Sequence, residues 1–269
     1  SQTLAFIGGG NMASAIIGGL IKQGTPPDRI VVVEPFADAR TRLNSQFGVR
    51  TLATADDNLA QAGLVIWAVK PQTFKEAAQQ TRDFCANALH LSVAAGIRSD
   101  SIANWLGTQR VVRAMPNTPA LVGLGQTGLF ARTAVTPQDK AWIEQVIATT
   151  GALLWVKDES LLDAVTAISG SGPAYVFFFI EAMVEAGVKM GLTPEQATQL
   201  AIGTFEGASL LAKTATEPPS VLRERVTSKG GTTYAALTSM QNARVGELFQ
   251  VALQAAQQRA HELGDEFGA

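Results

Sequence analysis

The chain has 269 residues, enough for one large domain or two modest ones that each bury a core. It is 46% hydrophobic and 16% charged, with a formal net charge of -2 and no basic block, which argues against nucleic acid as a partner. One cysteine, Cys85, excludes an internal disulfide and a thiolate metal cluster; the low charged fraction fits either a well-filled core or apolar surface covered by a second subunit.

Taken in chain order, Leu4 to Ile7 is a predicted strand, followed by a helix from about Met12 to Lys22. Ile30 to Val33 is a second strand, with a helix through Phe36, Ala39, Leu43 and Phe47 behind it. Leu64 to Val69 and Leu89 to Ala94 repeat the pattern. Each run is short, nearly all apolar and followed by a turn and a helix, as buried parallel strands of βαβ units are. Cys85 ends a short helical stretch from Thr81, where a small buried residue is expected rather than a nucleophile. Arg110 to Ala114 and Gly128 to Ala131 are expected as edge strands, and Val135 to Thr149 as a helix capped by Thr136 with Pro137 at its first position.

After Leu153 to Val156 the pattern changes, and only helices are predicted: Pro173 to Met190, Thr193 to Thr214, Pro218 to Thr227, Thr233 to Ala243 and Val245 to Phe267. The chain is therefore expected to divide near residue 160, with an α/β domain over 1–160 and an all-α domain over 161–269. The N-terminal residues run into a strand with no basic n-region or cleavage site, so cytoplasm is the expected location. The most apolar stretch, Ala174 to Leu192, holds Glu181, Glu185 and Lys189, and no membrane span is expected there.

The first strand–helix junction reads Ile7-Gly8-Gly9-Gly10-Asn11-Met12-Ala13, which fits the G-x-G-x-x-G/A fingerprint of Rossmann-type dinucleotide sites. Gly8 is expected to make the tight turn, Gly10 to leave room for pyrophosphate at a helix N-terminus, and Ala13 to let helix and strand pack. Glu34 ends the second strand, where a carboxylate accepts from adenosine ribose hydroxyls. Two more turns follow strands at the edge where such sheets bind ligands: Ala68-Val69-Lys70-Pro71 and Ala94-Ala95-Gly96. The alternative, an α/β domain whose first turn merely needs glycine and whose Lys70 is a solvated strand cap, needs none of these.

Three further segments are unusual as plain connectors. Met115-Pro116-Asn117-Thr118-Pro119 is a proline-bracketed turn presenting Asn117 and Thr118. Ile168-Ser169-Gly170-Ser171-Gly172-Pro173-Ala174-Tyr175 is a glycine–serine loop that feeds a long helix. Ser228-Lys229-Gly230-Gly231-Thr232-Thr233 opens onto another. Such loops gather N–H groups and hydroxyls around a small anion such as a carboxylate, although flexible helix–helix connections read the same way. His90 and His261 lie away from all three. No metal-ligand spacing, nucleophile elbow or carboxylate pair is present, which argues against a metalloenzyme or a hydrolase. Hydride addition to a protonated imine needs positioning more than a side-chain acid, so the absence is compatible with such a reductase.

The segments FIGGGNM, AVKPQ, SVAAG, VRAMPNTPA, ISGSGPAYVF and VTSKGGTT occur in that order, and from Leu4 to about Leu263 the chain resembles the pyrroline-5-carboxylate reductase family. The resemblance implies an N-terminal Rossmann-type, mostly parallel sheet with an all-α C-terminal dimerisation domain, assembled as a homodimer or a decamer. It implies reduction of 1-pyrroline-5-carboxylate to L-proline with NADPH or NADH, the last step of proline biosynthesis. By motif, Ile7, Gly8, Gly9, Gly10, Asn11, Met12, Glu34, Ala68, Val69, Lys70, Pro71, Ala94, Ala95 and Gly96 would hold the dinucleotide. Ser171, Gly172, Gly230, Gly231, Thr232, Thr233 and Asn117 would meet the substrate, with the Thr233 hydroxyl near the ring nitrogen as the catalytic group, and no metal is implied. Glu34 followed by Pro35 departs from relatives that carry a small polar residue or an arginine there. Two rivals stand beside this reading: a 3-hydroxy acid dehydrogenase with the same domain plan, and a non-catalytic dinucleotide sensor.

Overall fold

The structure is a computed structural model that describes residues 2–268. Its first part alternates strand and helix: β1 (Thr3–Ile7), α1 (Asn11–Lys22), β2 (Ile30–Val33), α2 (Ala37–Phe47), β3 (Arg50–Leu52), β4 (Ala62–Trp67), α3 (Pro71–Thr81), β5 (Leu89–Ser92), α4 (Ser99–Leu106) and β6 (Val111–Met115). Then come β7 (Gly125–Ala131), α5 (Pro137–Ala148), β8 (Gly151–Trp155) and the short α6 (Leu161–Val165). The strands form one sheet in the order β3-β2-β1-β4-β5-β6-β7-β8, parallel throughout except where β7 runs antiparallel to β6. The first six strands follow the doubly wound order in which the crossovers reverse direction beside β1.

Period-two alternation explains why these strands are apolar on both faces. Leu4, Phe6, Val32, Leu64 and Ile66 face one core with Ile16, Ile17 and Leu20 of α1 and Ile143 and Val146 of α5. Ala5, Ile7, Val31, Val65 and Trp67 face the other with Phe74 of α3 and Ile102 and Trp105 of α4. Thr136 caps α5 through a reciprocal pair with Asp139, as the Thr-Pro start leads one to expect.

Three expectations are corrected. β6 and β7 are interior strands, because β8 pairs with β7 and β3 closes the other side. Cys85 lies just beyond a 3-10 turn (Arg82–Phe84) rather than in an α-helix. The glycine–serine loop is helical: Thr166–Gly170 form a π-turn with Ser171 N–H donating to the Thr166 carbonyl at 2.8 Å, and α7 (Gly172–Lys189) follows at once. A Cβ on Gly170 would lie 2.5 Å from the Met115 methyl, so the missing side chain lets β6 and the wide turn close together.

The chain divides into two compact units after Ser171 rather than near residue 160, and the residues from Ala256 on return to the first. α6 stays with the sheet because Leu162 is fully buried and Val165 packs where a Cβ on Gly128 would stand. The tail stays because Arg98 pairs with Asp265 at 2.7 Å and Leu263 lies against Gly96. The second unit holds α7, α8 (Pro194–Thr214), α9 (Pro219–Arg225), α10 (Thr232–Asn242) and the start of α11 (Val245–Phe267). Thr193 caps α8 in another reciprocal box with Gln196, and Tyr175 and Phe179 of α7 meet Phe249 of α11 edge-on. Within 172–255 only Gly187, Ala197 and Ala201 are buried, so this unit has almost no core of its own.

Candidate active site

Sheet register builds the first half of the site. Ile7 pairs with Val33 and Trp67, and Trp67 with Ser92, so the turns after β1, β2, β4 and β5 lie along one edge of the sheet. The Gly8 N–H donates to the Val33 carbonyl and the Ala68 N–H to the Ile7 carbonyl, at 2.9 and 2.8 Å, which ties the turns together. This carboxyl edge, at the point where the strand order reverses, is where doubly wound sheets take ligands.

The three glycines are there for different reasons. Gly8 has φ 96, and a Cβ on it would lie 2.3 Å from the Ala68 carbonyl oxygen. A Cβ on Gly9 would meet Leu43 at 2.5 Å. On Gly10 a Cβ meets nothing within 4 Å, and its φ of -79 suits any residue. Gly10 is the N-cap of α1 with no side chain bonded to it, so the α1 N–H groups face open space. A pyrophosphate fits that gap: it needs an uncapped helix start and no side chain in the way.

Around this turn, Glu34 is buried and accepts the N–H of Gly9 at 3.3 Å and of Phe36 at 3.1 Å. Lys70 is an exposed N-cap of α3 with Pro71 at the first helical position. Ala94 is buried and Ala95 exposed; Gly96 has φ 74 and would drive a Cβ to 2.9 Å from Leu263. No motif signals that Leu263 supports this turn, because its helix pattern does not say which unit the tail joins.

Asn117 follows β6 at the same edge and is also buried. Its Nδ2 donates to the Ser169 carbonyl at 3.1 Å and its Oδ1 accepts the Gln126 N–H at 2.8 Å, leaving one N–H and one acceptor position for a ligand. The Ser171 N–H is taken by the π-turn, so that segment is no exposed helix start as its glycines suggest; the half-buried Ser171 hydroxyl remains. π-Turns recur at functional sites. Sequence reasoning also missed a buried charge cluster nearby: Arg113 of β6 donates to Glu159 at 3.2 Å, and Ser99 donates to Glu159 through both its N–H and its hydroxyl.

In the helical unit, Gly230 takes φ 74 and the Gly231 N–H donates to the Ser228 carbonyl at 3.0 Å. That N–H is therefore committed to the turn, contrary to the expectation that it meets a ligand. Gly231 is the N-cap of α10 without a side-chain cap, so the free N–H groups are those of Thr232, Thr233 and Tyr234. Thr233 is half-buried and is the second helical residue, not the cap.

The ordinary acid–base and nucleophile candidates are unsuitable. Burial, and then the Arg110 charge, lower His90 to about 4, and its Nδ1 accepts from Trp67 Nε1 at 3.0 Å. Burial, reinforced by Asp83, raises the Cys85 thiol to about 11. Among the described residues no group of His, Cys, Asp and Glu is arranged to hold a metal.

Two family models match the chain: pyrroline-5-carboxylate reductase dimerisation over residues 159–263, and NADP oxidoreductase, coenzyme F420-dependent, over residues 3–96. A pyrroline-5-carboxylate reductase of Pseudomonas aeruginosa is 42% identical over 98% of both chains, and one of Arabidopsis thaliana is 37% identical over 98% of this chain and 96% of its own. Among solved structures, the Coxiella burnetii reductase superposes with a TM-score of 0.90 at 39% identity, covering 97% of this chain and 98% of that one. The Plasmodium falciparum pyrroline carboxylate reductase with NADP bound gives 0.87 at 26% identity and 98% coverage of each.

Proposed function

This chain belongs to the pyrroline-5-carboxylate reductase family, and from that premise we propose which of its residues carry the reaction. It reduces 1-pyrroline-5-carboxylate to L-proline with NAD(P)H, the last step of proline biosynthesis, and it is an oligomer. A carbon–hydrogen bond forms at the imine carbon as the C=N electron pair moves to nitrogen, which carries a proton in the product. When bound, the reduced nicotinamide supplies the hydride.

On the sheet unit, Gly8 to Met12 hold the pyrophosphate, Glu34 the adenosine ribose, and 68–71 and 94–96 the nicotinamide half. On the helical unit, the N–H groups of Thr232 and Thr233 hold the substrate carboxylate and the Thr233 hydroxyl orients or protonates the ring nitrogen. Asn117 and Ser171 position the turn they share with the π-helix. The observation that carries this assignment is the uncapped start of α10: three N–H donors and the half-buried Thr233 hydroxyl at one helix end, after a left-handed Gly230. A 3-hydroxy acid dehydrogenase is disfavoured. The only lysine of α7 is Lys189, its last residue, about 25 Å along the helix axis from its start.

Kinetics of Thr233→Ala and Thr233→Ser test the reading. The alanine variant should lose about 100-fold or more in kcat, as when a positioned proton-transfer group is removed, with dinucleotide affinity unchanged. The serine variant should keep most activity. Near-normal turnover of Thr233→Ala would move the proton to water. The same turnover loss in both variants would show that the methyl, not the hydroxyl, matters.

The oligomer is read as a homodimer through the helical unit, with a decamer as its extended form. Phe177, Phe178, Leu210 and Leu211 are more than half exposed in a unit with three buried residues, and the dimerisation model covers this part of the chain. The run Leu161–Lys189 is long and apolar enough to cross a membrane by length and composition. Glu181 and Glu185 on it favour a second protein copy as the covering surface. Cytoplasm, where reduced dinucleotides are held, is the location this chemistry supports.

A further inference from the structure

The corner between β2 and α2 bears on which dinucleotide enters, an inference that rests on reading the glycine turn as the pyrophosphate site. We propose that Glu34 makes this chain select NADH over NADPH. Glu34 ends β2 at 8% exposure, with one carboxylate oxygen on the Gly9 N–H and the other on the Phe36 N–H. It is thereby fixed beside the turn and retains lone pairs for ribose hydroxyls. Among the described residues no ion pair neutralises it.

A 2′-phosphate would need donors here, and several of the corner's donors are already committed. Pro35 has no N–H, and the Phe36 N–H is given to Glu34. Arg40 Nη1 donates to the carbonyls of Glu34 and Pro35, each at 2.8 Å, and Arg42 Nη2 to the Gly9 carbonyl at 3.1 Å. Both guanidinium groups are thereby anchored on carbonyls that shape the turn, and turning these bonded nitrogens onto a phosphate breaks those bonds. Asp38 adds a second carboxylate in the first turn of α2, at the helix end an anion would otherwise favour. The neutral 2′-hydroxyl of NADH donates to Glu34, whereas the 2′-phosphate of NADPH meets an unpaired negative charge.

Calorimetric titration of the full chain with NADH and with NADPH tests this without turnover. NADH should bind at least about tenfold more tightly, a difference of about 1.4 kcal/mol. Glu34→Gln, which keeps the shape and removes the charge, should tighten NADPH and shrink the ratio. Pro35→Arg, an exposed site, should do the same if Glu34→Gln folds poorly. Equal affinities, or tighter NADPH, in the unmodified chain would overturn the selectivity while leaving the site assignment standing. A folded protein that binds neither would overturn both.

Discussion

Replacing Gly10 by valine separates a glycine kept for a ligand from glycines kept for the fold. Gly10 sits at φ -79 and ψ -162, which any residue adopts, and a Cβ there meets no atom within 4 Å. The folding penalty should therefore be only the weaker helix-capping of valine, about 1 kcal/mol, or a fall of about 2–4 °C in Tm. The ligand penalty should be far larger, because the branched side chain fills the gap before the uncapped α1 N–H groups. Excluding the pyrophosphate from even part of that cradle should weaken dinucleotide binding by about 100-fold, or about 2.7 kcal/mol. Gly8→Ala is the opposing control: φ 96 and a Cβ 2.3 Å from the Ala68 carbonyl oxygen should destabilise the fold itself. Calorimetric titration and thermal melts on both variants give the comparison. A Gly10→Val protein with wild-type melting and unchanged affinity would refute the assignment of this turn.

Two further outcomes are expected. His90 is held neutral, at about 4, against 6.5 when unfolded, so between those values the unfolded chain binds the proton that the folded chain refuses. Its contribution to stability is constant above pH 6.5 and falls as pH drops toward 4, by on the order of 3 kcal/mol in total. Denaturant titrations at pH 7 and pH 4.5 should show a smaller pH difference for His90→Leu than for the unmodified chain; equal differences would remove His90 from the account. Light scattering should give a dimer or a multiple of it at micromolar protein, and Phe177→Glu should shift the mass toward the monomer; an active monomer would contradict the covered helical face.

Much of this architecture is legible in the sequence because local and global preferences agree. Apolar runs too short for helices, each followed by an amphipathic stretch, lead to a doubly wound sheet, and Thr-Pro-Glu and Gly191 delimit α8 and α7. β3 is not legible, since Arg50–Leu52 is three residues with one polar and one charged side chain, and pairing with β2 alone makes it a strand. Nor is the π-turn: Ser169-Gly170-Ser171-Gly172 has the composition of a loop, and only the approach of Met115 to Gly170 shows why it is wound instead. The tail from Ala256 onward joins the sheet unit through Leu263, Asp265 and Gly268, contacts that a helical periodicity does not specify. At the site, the tight turn at Gly8 follows from spacing. That the Gly231 N–H is already taken, or that Asn117 is bonded at both ends, depends on turn geometry and partners distant in sequence.

Mixing the purified chain with 1-pyrroline-5-carboxylate and NADH or NADPH, and quantifying L-proline against coenzyme oxidised, tests the reductase activity directly. Proline should form in equal amount to the coenzyme consumed, with Thr233→Ala slow under the same conditions. Protein that binds the dinucleotide at the glycine turn yet forms no proline would contradict it and leave a dinucleotide sensor in its place.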